Sequence, residues 1–322
     1  MVIGIGTVLV VIGAGLAVGM SAIGAGIGVG IAGASGAGVT AVKEDKFGVS
    51  LVFQALPQTQ GIYGLLVAIL LLVSTGLLGG SGSTDVPVPV GLAAIGCGLA
   101  VGVAGLSAIG QGIAASSGIS AAAEDGGSIG RSMVFSVLPE TQAIYGLLVA
   151  ILIMAFTGMF SGLFTATTAV GFAAIGCGFA IGFAGLSGIG QGIAASSGVG
   201  ATSENEEMFG KALVFSVLPE TQAIYGLLIA ILIMAFTGMF TGVLTATTAV
   251  GIAAIGSGLA IGLAGLSGIG QGITASAGIM AIARNPDTMG RALIFAVMAE
   301  TFAIFGLLIA ILIMFGVGLM GA

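Results

Sequence analysis

Glu140, Glu220 and Glu300 stand in three near-copies of one phrase, each set in otherwise apolar sequence: LPETQAIYG at 138–146, LPETQAIYG at 218–226 and MAETFAIFG at 298–306. A fourth copy, LPQTQGIYG at 56–64, has Gln58 where the others have the carboxylate. An ionisable side chain at membrane depth costs on the order of 3 kcal/mol on insertion scales. Three of them at matching positions point to an ion pathway.

Each carboxylate has polar companions. Gln111, Gln191 and Gln271 occur in the phrase IGQGI, each 29 residues ahead of its unit's Glu. That separation lets a helical hairpin bring the pair to one depth. The first unit has no such Gln; its comparable phrase is SAIGAGI, with Ala25. On the helix carrying Glu140, Thr141, Gln142 and Tyr145 fall at ~100°, ~200° and ~140° from the carboxylate. One helix therefore offers a Glu to one neighbour and a Thr–Gln–Tyr set to the other, and sites should form between hairpins. The losses agree. The first unit lacks Gln and Glu but keeps Leu56, Thr59, Gln60 and Tyr63, whereas the fourth keeps Gln271 and Glu300 but has Phe302, Phe305 and Ala299 in place of Gln, Tyr and Pro. The expected sites are Thr59, Gln60 and Tyr63 with Gln111 and Glu140; Thr141, Gln142 and Tyr145 with Gln191 and Glu220; and Thr221, Gln222 and Tyr225 with Gln271 and Glu300. Pro57, Pro139 and Pro219 interrupt the backbone ladder and are expected to free a nearby carbonyl.

The elements that must position these groups are membrane helices. Only 6% of the 322 residues are charged and 57% are hydrophobic, with no His and no Trp; a soluble domain carries roughly 25% charged residues. The absence of His, with only Cys97 and Cys177 as thiols, argues against zinc, haem and iron–sulfur chemistry. The cysteines read as small packing residues. There is no P-loop, so the chain is not expected to bind ATP. No cleavable signal is visible, and the N-terminal stretch reads as the first membrane helix.

The phrase recurs about every 80 residues, so the chain reads as four tandem hairpins, at 1–80, 81–163, 164–243 and 244–322. Expected helices cover 2–33, 48–79, 88–117, 130–162, 167–197, 209–243, 247–278 and 289–320, joined between hairpins by turns at 79–89 and 162–168. The fold class is all-α membrane protein, eight helices forming part of a closed ring. The first helices carry glycine at seven-residue spacing, as in Gly91, Gly98, Gly105 and Gly112, a pattern that lets helices pack closely. The second helices carry bulk. Thin helices on one side and thick ones on the other make wedges that close into a ring with glycine inside and bulk toward lipid.

All six basic residues, Lys43, Lys46, Arg131, Lys211, Arg284 and Arg291, lie in or beside the loops within hairpins. The positive-inside rule puts those loops in the cytoplasm of a multi-pass cell-membrane protein and both termini outside. The loops also hold acidic residues, among them Glu124 and Asp125, and read either as ordinary solvated loops or as a docking face.

A proton needs only the carboxylate. A bare alkali cation wants about five or six oxygens, and carboxylate, two Gln oxygens, Thr hydroxyl and a freed carbonyl reach about that number. Na⁺ is therefore favoured over H⁺, with each Tyr as a donor that holds its Glu in place.

The combination of IGQGI, LPETQ and YG at fixed separation resembles the rotor-ring proteolipid (c or K type) of V-type and archaeal A-type rotary ATPases in its Na⁺-coupled form, over the whole chain. The resemblance implies a ring of identical chains that turns against a stator subunit bearing an arginine and is coupled to a cytoplasmic central stalk. The chain itself would be non-catalytic, would meet lipid and would bind no nucleic acid. It also implies ion ligation by Gln111, Gln191, Gln271, Glu140, Glu220, Glu300, Thr59, Gln60, Thr141, Gln142, Thr221, Gln222 and the carbonyls of Leu56, Leu138 and Leu218. Four hairpins in one chain, and Gln58, depart from the usual pattern. The alternatives are the same ring coupled to protons, a secondary transporter or channel, and a purely structural ring.

Overall fold

In lipid every backbone polar group must be satisfied within the chain, so sequence this rich in glycine still becomes helix. The computed structural model describes residues 3–79, 85–124 and 129–320. Among them are eight helices long and apolar enough to cross a membrane: α1 (Ile5–Val42), α2 (Glu44–Ser74), α3 (Val88–Glu124), α4 (Ile129–Phe156), α5 (Thr168–Glu204), α6 (Met208–Phe236), α7 (Thr248–Arg284) and α8 (Pro286–Gly316). Consecutive helices pair as four hairpins, and α2, α4, α6 and α8 are interrupted for a residue or a turn at the repeated phrase.

The helix boundaries differ from the sequence expectation in a systematic way. The first helix of each hairpin runs further, to Val42, Glu124, Glu204 and Arg284. Its Ser/Gly/Ala stretch, polar enough to read as loop, stays helical because the hydroxyls bond across neighbouring helices: Ser117 to Ser196 and Ser197 to Ser276, each at 2.6 Å, and Ser35 to the Ser116 carbonyl at 3.0 Å. The second helices stop earlier. Gly158, Gly238 and Gly318 adopt positive φ, and the next amide bonds back across the final turn, Met159 to Met154, Met239 to Met234 and Leu319 to Met314. This is a glycine-terminated helix end that a side chain with a Cβ would strain. The turn expected at 79–89 and the acidic Asp125 lie wholly or partly outside the described residues.

The helices form two layers. α1, α3, α5 and α7 stack in chain order, each against the next, and α2, α4, α6 and α8 cover them. The inner layer is held at backbone contact: a Cβ on Gly112 would lie 2.3 Å from the Gly28 carbonyl oxygen, and on Gly192 or Gly272 2.0 Å from that of Gly110 or Gly190. The outer layer locks into the next hairpin. Phe53, Phe135 and Phe215 are fully buried, with ring edges against Gly118, Gly198 and Gly278 of the following inner helix. Within each hairpin, Cys97 and Cys177 donate to the Ala150 and Ala230 carbonyls at 3.4 and 3.3 Å, and Ser257 donates to Ala310 at 2.9 Å. The cysteines are thus weak hydrogen-bond donors as well as packing residues.

The two-layer array has two unlike ends. The most apolar stretches of α3 and α5 are 72% buried and those of α1 and α7 only 39%. On α1, Gly15, Gly19 and Gly30 have nothing among the described residues within 4 Å of a Cβ position. In the packing register they correspond to Gly98, Gly102 and Gly112, which meet backbone on the preceding inner helix. On α7, Gly270 is equally open, although its counterparts Gly110 and Gly190 meet the following helix. Phe295, counterpart of the buried Phe215, is 65% exposed.

Gly192→Ala should destabilise the protein by about 1–3 kcal/mol, because the carbonyl it meets belongs to a rigid neighbouring backbone. Gly210→Ala, where a Cβ meets nothing among the described residues within 4 Å, should hold stability or raise it by up to ~1 kcal/mol, because alanine is the better helix former. Thermal denaturation midpoints of the two variants in detergent check the contrast.

Candidate ion-binding sites between hairpins

The repeated phrase bends its helix, and the bend orients the polar set. Leu138–Glu140 and Leu218–Glu220 form single tight 3-10 turns, and the helix breaks at Leu56–Pro57 in the first unit. The fourth unit also breaks, at Ala299, without proline. Proline is therefore not the whole cause. Common to all four is a threonine hydroxyl that donates to the carbonyl three residues back: Thr59 to Leu56 at 2.9 Å, Thr141 to Leu138 and Thr221 to Leu218 at 3.0 Å, and Thr301 to Met298 at 2.7 Å. The Leu carbonyls are thus not orphaned. Each also accepts the threonine amide in the tight turn.

From these turns the side chains reach across the hairpin boundary. Gln60 donates to the Gln111 oxygen at 2.9 Å, Gln111 donates to Glu140 Oε2 at 3.2 Å, and Tyr63 donates to Glu140 Oε1 at 2.5 Å. The arrangement recurs with Gln142 on Gln191 at 2.6 Å, Gln191 on Glu220 at 3.2 Å and Tyr145 on Glu220 at 2.7 Å. It recurs again with Gln222 on Gln271 at 2.6 Å, Gln271 on Glu300 at 3.2 Å and Tyr225 on Glu300 at 2.7 Å. Each carboxylate therefore accepts one bond from its own hairpin's inner helix and one from the preceding hairpin's outer helix. All six glutamines are fully buried.

The residues grouped from the sequence come together in these three clusters. Around each carboxylate lie only hard oxygen donors and amide groups, and among the described residues no group of three or more His, Cys, Asp and Glu is gathered. Such a set suits a hard monovalent cation, or a proton on the carboxylate, rather than a transition metal.

The ends of the array carry half-sites. Phe302 and Phe305 stand exposed on α8. Gln58 lies in a shallow groove with Ala25, Val29 and Gly61. Here the structure corrects the sequence comparison. The residue equivalent to Gln111 is Val29, not Ala25: Gly28 meets the Ala108 carbonyl as Gly110 meets that of Gly188, and Val29 is the residue 29 positions before Gln58. Ala25 sits one helical turn earlier, where the other inner helices carry Ser107, Ser187 and Ser267. Those serines were missed from sequence, although each precedes its Gln by four residues on the same helix face.

The ATP synthase C-subunit family matches the chain four times, at 12–71, 95–153, 175–233 and 255–313, once in each hairpin. The chain is 59% identical over 227 residues to the K subunit of the A-type ATP synthase of Methanocaldococcus jannaschii, covering 70% of this chain and 97% of that one. It is 39% identical over 132 residues to the K subunit of the V-type sodium ATPase of Enterococcus hirae, covering 38% of this chain and 81% of that one. It is 30% identical over 155 residues to the 16 kDa proteolipid of the V-type proton ATPase of Rattus norvegicus, covering 48% and 90%. The chain belongs to the ATP synthase C-subunit family. It is a membrane-embedded, non-catalytic rotor proteolipid of the A/V-type ATPases.

Sharing across hairpins has a directional consequence. Tyr145→Phe, a change in the second hairpin, should raise the reactivity of Glu220 in the third toward a hydrophobic carbodiimide by about tenfold or more, the scale of one hydrogen bond to a charged group. Glu140, in the same hairpin as Tyr145, should react as before. Peptide mass spectrometry of the labelled protein reads both carboxylates at once.

Proposed function

We propose that this chain carries Na⁺ across the membrane by rotation, at three sites per chain centred on Glu140, Glu220 and Glu300. The observation that carries the reading is the hydrogen-bonded set that two adjacent hairpins build around each carboxylate. A proton carrier needs the carboxylate alone, whereas two glutamine oxygens, a threonine hydroxyl and a leucine carbonyl supply the oxygens that replace a cation's hydration. Similarity to a relative named as part of a sodium ATPase supports it further. Glutamate with Na⁺ is neutral overall, so a loaded site can pass lipid without the cost of a bare charge.

Identical chains close into a ring in this reading. Support comes from the open ends, where the glycine surfaces of α1 and α7 are the two halves of the seam that joins every inner pair, and Phe295 is a knob without its glycine notch. The unit four to unit one junction carries no site: Phe302, Phe305, Gln58 and Val29 replace its polar groups. A stator subunit releases each ion by presenting an arginine to the passing carboxylate, and the hairpin loops on the cytoplasmic side meet the central stalk. The four hairpins extend over 1–80, 81–163, 164–243 and 244–322. Three ions per four hairpins lowers the number of ions carried per ATP, which favours pumping against a steep gradient. An intact complex that made ATP readily at a modest ion gradient would contradict that last step.

Na⁺ should suppress carbodiimide labelling of all three glutamates in the purified assembly. Labelling that answers to pH but not to Na⁺ would transfer the reading to protons, and absence of labelling at these positions would end it. Gly15→Leu and Gly270→Leu should each leave the single chain helical by circular dichroism yet abolish ring assembly in native mass spectrometry; rings of normal mass from both variants would refute closure through this seam.

A further inference from the structure

The Ser107, Ser187 and Ser267 hydroxyls lie outside the oxygen set assigned above, yet all three sit beside it. Ser107 is fully buried and donates to the Gln60 amide oxygen at 2.7 Å. In the next cluster the same amide oxygen, on Gln142, lies instead 3.2 Å from the Thr141 hydroxyl, whose one proton is shared between it and the Leu138 carbonyl at 3.0 Å. Ser187 is also fully buried there, and its hydroxyl has no hydrogen-bond partner among the described residues. The third cluster repeats the second: the Thr221 hydroxyl lies 3.2 Å from the Gln222 oxygen and 3.0 Å from the Leu218 carbonyl, and the Ser267 hydroxyl is buried without a partner among the described residues. The glutamine oxygen still faces the serine's end of the inner helix, 3.1 and 3.2 Å from the Cβ positions of Gly188 and Gly268. A buried hydroxyl without a partner costs about 1–3 kcal/mol, so one that recurs beside two equivalent carboxylates calls for an explanation.

We infer that these serines are positioning residues for cation binding: each is a second donor that takes over the glutamine oxygen when the threonine hydroxyl turns to the cation. This rests on the Na⁺ reading. The single proton of each threonine hydroxyl is within reach of two acceptors, the leucine carbonyl at 3.0 Å and the glutamine oxygen at 3.2 Å. For the threonine and glutamine oxygens both to face a cation, that proton must lie wholly on the leucine carbonyl, and the amide then loses the bond that fixes which of its two ends points inward. The serine hydroxyl restores that bond from the far side, using the second lone pair of the amide oxygen. The two arrangements coexist in this chain, serine on the oxygen in the first cluster and threonine on it in the other two. The losses agree. In the first hairpin the serine's place is taken by Ala25, the glutamine's by Val29 and the carboxylate's by Gln58, so the three groups disappear together.

The test is Ser187→Ala in the full-length chain within its membrane assembly. The readout is the NaCl concentration that half-protects each glutamate from the carbodiimide. Half-protection of Glu220 should require about tenfold more Na⁺, the scale of one hydrogen bond, with its labelling rate in the absence of Na⁺ unchanged. Glu140 and Glu300 in the same molecules should keep their wild-type values. Ser187→Cys, which keeps a weak donor, should recover part of the shift; a role in packing alone would move the denaturation midpoint without this split. Ser267→Ala should reproduce the effect at Glu300 and stands in if Ser187→Ala fails to assemble. Unchanged half-protection at Glu220 and Glu300 in variants that assemble would overturn the inference while leaving the Na⁺ reading intact. No Na⁺ protection in the unaltered protein would overturn both.

Discussion

The absence of a Cβ along one face of each inner helix is the constraint on which the molecule depends. The carbonyl oxygens of one inner helix occupy the places where side chains of the next would begin. This contact brings neighbouring hairpins so near that a glutamine from one and a glutamine and a glutamate from the next form a single bonded chain. Relaxing the inner layer by the width of a methyl group would put the tyrosine and glutamine of one hairpin out of reach of the carboxylate of the other. The high glycine content is therefore part of the site as much as of the fold. It is tolerated in lipid, where helix formation is enforced by the need to satisfy backbone groups internally.

Much of this was legible because the chain repeats itself with errors. The phrase around Glu140 recurs often enough to define a unit, and the substitutions at Gln58, Phe302 and Phe305 fall at the two open ends of the array. Helix periodicity then separates the Glu face from the Thr–Gln–Tyr face. What was not legible has physical causes. Ala25 looked like the counterpart of Gln111 because SAIGAGI resembles SAIGQGI letter for letter. Packing is set by the glycine seam, which shifts the match by one helical turn to Val29. The helix ends were displaced because serine and glycine read as loop in isolation, whereas here the hydroxyls find partners on the next helix. The tyrosine bonds could be expected from the flank they occupy. The serines could not, since a hydroxyl beside a glutamine oxygen is a matter of a few ångströms.

Proline, too, proves less decisive than its chemistry suggests. The fourth unit keeps the interruption of its helix with alanine in that place, and the threonine bond to the residue three positions back is present in every unit. The break belongs to the threonine turn as much as to the imide. A similar interchange joins the layers of each hairpin, where a thiol in two units and a hydroxyl in a third donate to equivalent carbonyls.

The carboxylate-free hairpin is tied by peptide bonds to three that carry the group. In an assembly of separate hairpins, the proportion of active to inactive members would follow expression levels and chance, and would vary from one particle to the next. Here the proportion is written into the polypeptide. Each chain carries three of these carboxylates on four hairpins, in a fixed order. Tandem fusion thus turns a statistical ratio into a covalent constant, and the spacing of carboxylate-free positions becomes as heritable as a residue.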